Sequence, residues 1–166
     1  MIEINIQPEH IYKAKQQANE LGELKHSITK GKSNIYGFIG EVVLSDVLGI
    51  PQTNTYDYDL ETSTGIKIDV KTKRTTRTPL PYYECSIAAY NTTQRCDYYA
   101  FCRVNESLDT LWFLGIIKKE KYFEKAKFLR KGQIDGDNGF VVKADCYNLS
   151  ISEIWKETES FFGLNN

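Results

Sequence analysis

Two stretches of this chain leave almost no position for a water-facing side chain. Asp97-Tyr-Tyr-Ala-Phe-Cys-Arg-Val104 and Leu111-Trp-Phe-Leu-Gly-Ile-Ile117 are near-continuous apolar runs, and strands of that kind are buried on both faces. A sheet containing them needs a covering layer on each side. The surrounding sequence supplies candidates. Ile2 to Ile6 alternates as a short strand. A helix is predicted over about 8–24, with Pro8 at its start and Ile11, Ala14, Lys15, Ala18, Leu21 and Leu24 on a broken helical period. A second, mostly apolar helix is predicted over about 35–48, stopped by Gly49 and Pro51. Tyr82 to Tyr90 reads as a strand with Tyr83, Cys85, Ile87 and Ala89 on one side. Residues 119–129 read as helical, Phe140 to Ala144 as a strand, and Ile151 to Phe162 as a closing helix. The order β-α-α-β-β-β-β-β-α-β-α predicts an α/β fold, a mixed β-sheet flanked by α-helices. The length of 166 residues suits a single domain spanning 1–166.

The chemistry gathers in residues 56–73. Ile66, Ile68, Val70 and Thr72 alternate with Lys67, Asp69, Lys71 and Lys73, the two-residue period of a half-buried strand. Ahead of it, Tyr56, Tyr58 and Leu60 alternate with Asp57, Asp59 and Glu61. A three-residue loop, Ser63-Thr64-Gly65, with Gly65 at positive φ, fixes the register. Thr62 then faces Ile66, Leu60 faces Ile68, Asp59 faces Asp69, and Asp57 faces Lys71. Directly opposed Cβ atoms lie about 4.5–5.5 Å apart. Two carboxylates at that distance repel unless a cation lies between them, and hard divalent cations such as Mg²⁺ take oxygen ligands. The register therefore predicts a metal site at Asp59 and Asp69, with Lys71 on the same face. The bland alternative is a solvated hairpin face whose cross-strand ion pair is worth at most about 1 kcal/mol. It leaves the facing aspartates mildly destabilising.

Upstream, Gly37-Phe-Ile-Gly-Glu41 opens the apolar helix. Gly37 and Gly40 weaken a helix, which close approach to a strand would offset. Glu41 falls near the N-terminal turn, where the helix dipole favours a carboxylate. This helix, then an acidic residue, a short spacer and Ile68-Asp69-Val70-Lys71 in an apolar strand, resemble the PD-(D/E)xK, or restriction-endonuclease-like, nuclease superfamily over roughly residues 35–105. The resemblance implies an αβββαβ-type core, with αβββ at 35–89. It implies a Mg²⁺-dependent endonuclease, with Mn²⁺ able to substitute, hydrolysing DNA phosphodiester bonds in restriction, repair, recombination or phage DNA processing. Glu41, Asp59, Asp69 and the Val70 carbonyl would hold the metal, and Lys71 would orient the attacking water. The chain departs from the family pattern in having no Pro before Asp57 or Asp59, so either is a candidate first ligand. The register favours Asp59 and leaves Asp57 as the alternative ligand or a partner of Lys71. Cutting two strands would imply a homodimer. An inactive nucleic-acid-binding module on the same fold, or an RNA-cleaving relative, are the other readings.

Charge bears on the partner. The net charge of −1 is low for a DNA enzyme, but it is unevenly spread. Residues 67–77 carry a net +4 and residues 118–131 a net +5, so a polarised surface can steer a polyanion. Lys67, Lys73, Arg74 and Arg77 are placed to hold backbone phosphates without reading sequence. Tyr82, Tyr83 and Tyr90 are candidates for stacking on unpaired bases. Lys30-Gly-Lys-Ser33 is not a phosphate loop, because His26 stands where that motif needs Gly. Cys85, Cys96, Cys102 and Cys146 lack a Cys-x-x-Cys pair and read as reduced, mostly buried thiols rather than zinc ligands. The N-terminus shows no signal sequence and no run is long enough to span a membrane, so a cytoplasmic protein without membrane partners is expected.

Overall fold

The computed structural model describes residues 1–24, 35–53, 55–135 and 139–162, so the Lys30–Ser33 segment lies outside the described residues. In chain order the elements are β1 (Ile2–Asn5), α1 (Pro8–Leu24), α2 (Ile35–Leu48), β2 (Leu60–Glu61), β3 (Lys67–Thr75), β4 (Glu84–Ala88), β5 (Tyr98–Asn105), β6 (Thr110–Lys118), α3 (Lys119–Lys125), β7 (Lys127–Leu129), β8 (Cys146–Ser150) and α4 (Ile151–Phe161). Five strands form a mixed sheet in the order β1-β6-β5-β3-β2, within which β3 and β5 run parallel and the other pairs antiparallel. Strands β4-β8-β7 make a smaller antiparallel sheet.

The two apolar runs lie side by side as β5 and β6, each buried on both faces. On one face, Ile68, Val70, Ala100, Cys102, Leu111 and Phe113 pack against Ala14 of α1 and Ile39, Val42, Val43 and Leu44 of α2. On the other, Tyr99, Phe101, Trp112, Leu114 and Ile117 meet Cys85 and Ile87 of β4, Leu149 of β8 and Tyr122 of α3. Tyr122 is fully buried, its hydroxyl set between the carbonyl oxygens of Cys85 (2.9 Å) and Tyr147 (2.8 Å). The Gly in the second apolar run has a specific use. At Gly115, φ is +136° beside a register shift in the β5–β6 ladder, and a Cβ there would lie 2.4 Å from Thr158 Oγ1 of α4. The Ile116 N–H donates to that same Oγ1 at 2.7 Å, so α4 completes the kinked ladder with a side chain.

Several expectations are corrected. Tyr82–Tyr90 shortens to β4 and joins the small sheet, so the 35–89 stretch does not supply three neighbouring strands; β5 is the second neighbour of β3. The predicted helix 119–129 stops at Lys125 and its tail becomes β7. Phe140–Ala144 is not a strand. It makes an isolated bridge between Ile134 and Val141, with Phe140 57 % and Val141 54 % exposed; the strand instead follows at Cys146–Ser150. Cys85, Cys96, Cys102 and Cys146 are free, the first three buried. No helix among the described residues is long and apolar enough to cross a membrane.

Candidate active site

The hairpin forms as the register arithmetic requires close to its loop, and departs from it further out. Leu60 pairs with Ile68 and Glu61 with Lys67. The Thr62 N–H donates to the Ile66 carbonyl at 3.0 Å, and Gly65 takes a φ of +84°. Beyond Leu60 the ladder ends and a side chain takes over. The Asp59 N–H still donates to the Ile68 carbonyl at 3.0 Å, but the Val70 N–H donates to Asp59 Oδ2, at 2.6 Å. Asp57 does not meet Lys71. Its Oδ1 accepts the Arg95 N–H at 3.2 Å, which ties it to the turn before β5 and away from Asp69.

Asp69 is only 4 % exposed, and its Oδ2 lies 2.6 Å from Lys71 Nζ. That contact is close but off the angle of a hydrogen bond, so Oδ2 has no aligned donor. The Asp59 and Asp69 carboxyls are close enough to act on each other's ionisation. Burial, then the charge of Asp69, pushes Asp59 up to about 7, against the pull of the Val70 amide and Lys71. Burial raises Asp69 as well, with the Lys71 ammonium holding it back. Glu41 feels the same centre from α2. Burial first, then the charges of Asp59 and Asp69, push it up to about 8. One glycine explains how the helix comes that close. A Cβ on Gly40 would lie 1.9 Å from Thr72 Oγ1, so Gly40 lets α2 press onto β3. Gly37, expected to serve the same purpose, has no heavy atom within 4 Å of the Cβ it lacks.

Gln94 is the residue that sequence reasoning did not find. Its Oε1 accepts from Lys71 Nζ at 2.9 Å, and its Nε2 donates to Asp69 Oδ1 at 3.3 Å. It bridges the acid and the amine. The parallel β3–β5 pairing sets Tyr98 beside Ile68, which brings the preceding turn over Asp69. Without that pairing nothing marks Gln94 among the polar residues of 91–95.

Of the residues expected to hold phosphates, Lys73 donates to Ser86 Oγ at 2.9 Å. Lys67 lies over the Tyr58 ring at 5.2 Å. Arg74 pairs with Glu106 at 3.2 Å, both well exposed, and Arg77 sits in the loop after β3. The basic run at 118–131 is partly used internally. Lys121 and Lys125 grip Glu157 of α4 at 2.7 and 2.6 Å, and Lys119 Nζ donates to the Gln94 carbonyl. Tyr82 and Tyr90 are exposed, at 63 % and 76 %, whereas Tyr83 packs on the core.

The donors suit a hard divalent cation: desolvated carboxyl oxygens, crowded by like charge, one with no aligned donor. Among the described residues no three His, Cys, Asp or Glu side chains are grouped tightly enough to hold a metal unaided. The ligands would therefore be Asp59 Oδ1 and Asp69 Oδ2, completed by the Val70 carbonyl and water, with Glu41 behind them. No protein-family model matches this chain, and no curated protein sequence matches it.

Proposed function

We propose that this chain is a divalent-metal-dependent nuclease with a restriction-endonuclease-like, PD-(D/E)xK core, hydrolysing phosphodiester bonds in DNA. The observation that carries the reading is the buried Asp69 beside the half-buried Asp59, with Lys71 Nζ 2.6 Å from Asp69. Two desolvated acids held together are costly as a structural device, and they suit a task that includes binding a cation. Mg²⁺ at this point would supply Lewis acidity to a phosphoryl oxygen and lower the pKa of a water. The chain's own residues supply the rest. Asp59, anchored by the Val70 amide through Oδ2, keeps Oδ1 for a ligand. Lys71, relieved of Asp69 once that acid has a cation, has Gln94 Oε1 to steady it. Its ammonium can then meet a non-bridging phosphate oxygen and oppose the charge growing on phosphorus. Glu41, pushed up to about 8 where Asp59 is pushed up to about 7, is suited to take a proton from the attacking water, directly or through a second one.

The test is incubation with supercoiled, linear, single-stranded and branched DNA, and with labelled RNA, in Mg²⁺, Mn²⁺ or EDTA. Cleavage is expected with either metal and none in EDTA, and Asp69→Ala removes it. Cutting that persists in EDTA or in the Asp69 variant overturns the reading. DNA binding without cutting in either metal points to the inactive module.

A further inference from the structure

The segment between β4 and β5 crosses the acid centre. It begins as a 3₁₀ turn at Ala89–Asn91, and the Thr92 hydroxyl donates back to the Ala89 carbonyl at 2.9 Å. At Gln94 it touches both Lys71 and Asp69. Two more bonds hold it in place. Asp57 Oδ1 accepts the Arg95 N–H at 3.2 Å, and the Gln94 carbonyl accepts from Lys119 Nζ. The Asp57 bond brings the loop that leads into β2 against this strap, so two loops meet beside the acids.

Each loop carries a tyrosine out of the fold. Tyr56 is 85 % exposed and Tyr90 76 %, the two most exposed large apolar side chains among the described residues. Tyr12 and Tyr82 are also exposed, but the fold uses them. The Tyr12 hydroxyl accepts from Gln16 at 3.0 Å, and the Tyr82 ring meets Tyr83 edge-on at 5.2 Å. A single exposed ring needs no explanation. The two most exposed ones bracketing one acid centre do, because neither adds to the core. Arg95, next to Gln94, is exposed as well, and its guanidinium enters no ion pair among the described residues. The acids nearest to it along the strap are engaged with backbone: Asp57 with its own N–H, and Asp97 with the Lys67 N–H at 2.8 Å. An exposed guanidinium is well solvated, so what distinguishes Arg95 is its place, one residue from the side chain that steadies Lys71. Exposed aromatic rings interspersed with a cation are the makings of a single-strand surface, since every base has a face to stack.

Building on the nuclease reading, we propose that Tyr56, Tyr90 and Arg95 grip the substrate strand around the cut. The two rings stack on bases to either side of the reacting phosphate, and Arg95 holds a neighbouring phosphate. In a duplex both faces of a base are covered by its neighbours, so the preferred substrates are single strands, flaps and gapped regions.

The experiment measures binding by fluorescence anisotropy in Ca²⁺, with a labelled single strand and the blunt duplex of the same sequence. Wild type is expected to hold the single strand about tenfold tighter. Tyr56→Ala and Tyr90→Ala should each weaken the single strand about tenfold and the duplex less than about twofold, with melting temperatures unchanged. Tyr56→Phe and Tyr90→Phe keep the ring and should bind as wild type. Arg95→Ala should weaken both DNAs and lower the single-strand slope of log affinity against log salt by about 0.7. Equal affinity of wild type for the two DNAs overturns the proposal. So do alanine variants that bind the single strand as wild type does, phenylalanine variants as weak as the alanine ones, or an unaltered salt slope in Arg95→Ala. If no DNA is cleaved in Mg²⁺ but these contrasts hold, the nuclease reading fails and the strand-gripping surface stands. Cleavage in Mg²⁺ without the contrasts is the reverse outcome.

Discussion

Replacing Glu41 with Gln isolates the electrostatic cost of the acid cluster without invoking catalysis. In the unfolded chain Glu41 ionises around its ordinary 4.5, whereas in the folded protein it keeps its proton up to about 8. A pKa raised by folding gives stability that is whole below the unfolded value and is lost as pH climbs through the folded one. Over that window each pH unit removes up to about 1.4 kcal/mol, so roughly 3 kcal/mol is gone by pH 7, or about 1.5–3 once the charge is shared with Asp59 and Asp69. Gln fills nearly the same volume and cannot ionise. Glu41→Gln in EDTA is therefore expected to be more stable than wild type by about 1.5–3 kcal/mol at pH 7–8, and to match it within about 1 kcal/mol at pH 5. For a chain of this length that is a rise in melting temperature of roughly 3–10 °C at pH 7–8. Thermal and urea melts at pH 5, 6, 7 and 8 decide the matter. Melting curves of the two proteins that run parallel across that range would show that Glu41 does not lie in the desolvated, like-charged surroundings described.

Three further outcomes follow from the same geometry. Because a cation must displace protons from Asp59 and Glu41, apparent Mg²⁺ affinity should rise up to about tenfold per pH unit between pH 6 and 8. Calorimetry in buffers of different ionisation enthalpy should register the released protons, and a flat profile would contradict the assignment. Gln94→Ala should lower kcat about 10–100-fold with DNA affinity little changed, since Gln94 touches Lys71 and Asp69 and reaches substrate only through them; an equal loss in affinity would place it in DNA contact instead. Gly40→Ala should cost about 1–3 kcal/mol in urea denaturation through the clash with Thr72, and Thr72→Ala should restore part of it; an unchanged midpoint would mean that α2 is not seated on β3 as described.

The placement of the acidic side chains was legible in the sequence wherever local rules governed it. Gly65 set the turn, the turn set Leu60 against Ile68, and the acids followed by counting. The apolar runs at 97–104 and 111–117 required two covering layers, and the structure has them. What escaped depends on contacts between distant segments. Strand β8 buries Asn148, whose Nδ2 donates to Asp135 Oδ2 at 3.2 Å, so no apolar alternation marks it. Phe140 and Val141 carry the composition of a strand and remain exposed. Gln94 acquires its surroundings only through the parallel β3–β5 pairing. Asp57 had the right parity for the site, but the strand it was expected to extend ends at Leu60.

The Asp59 carboxylate that caps the Val70 amide has two employers. Its Oδ2 stands in for a missing peptide rung, while the carboxyl as a whole feels the charge of Asp69. On the nuclease reading, a lineage abandoning catalysis can discard Asp69 cheaply and even gain robustness, but discarding Asp59 strands a backbone donor at the open edge of the sheet. Decayed descendants of such a protein should therefore keep the first aspartate long after losing the second, a fossil whose persistence reflects scaffolding.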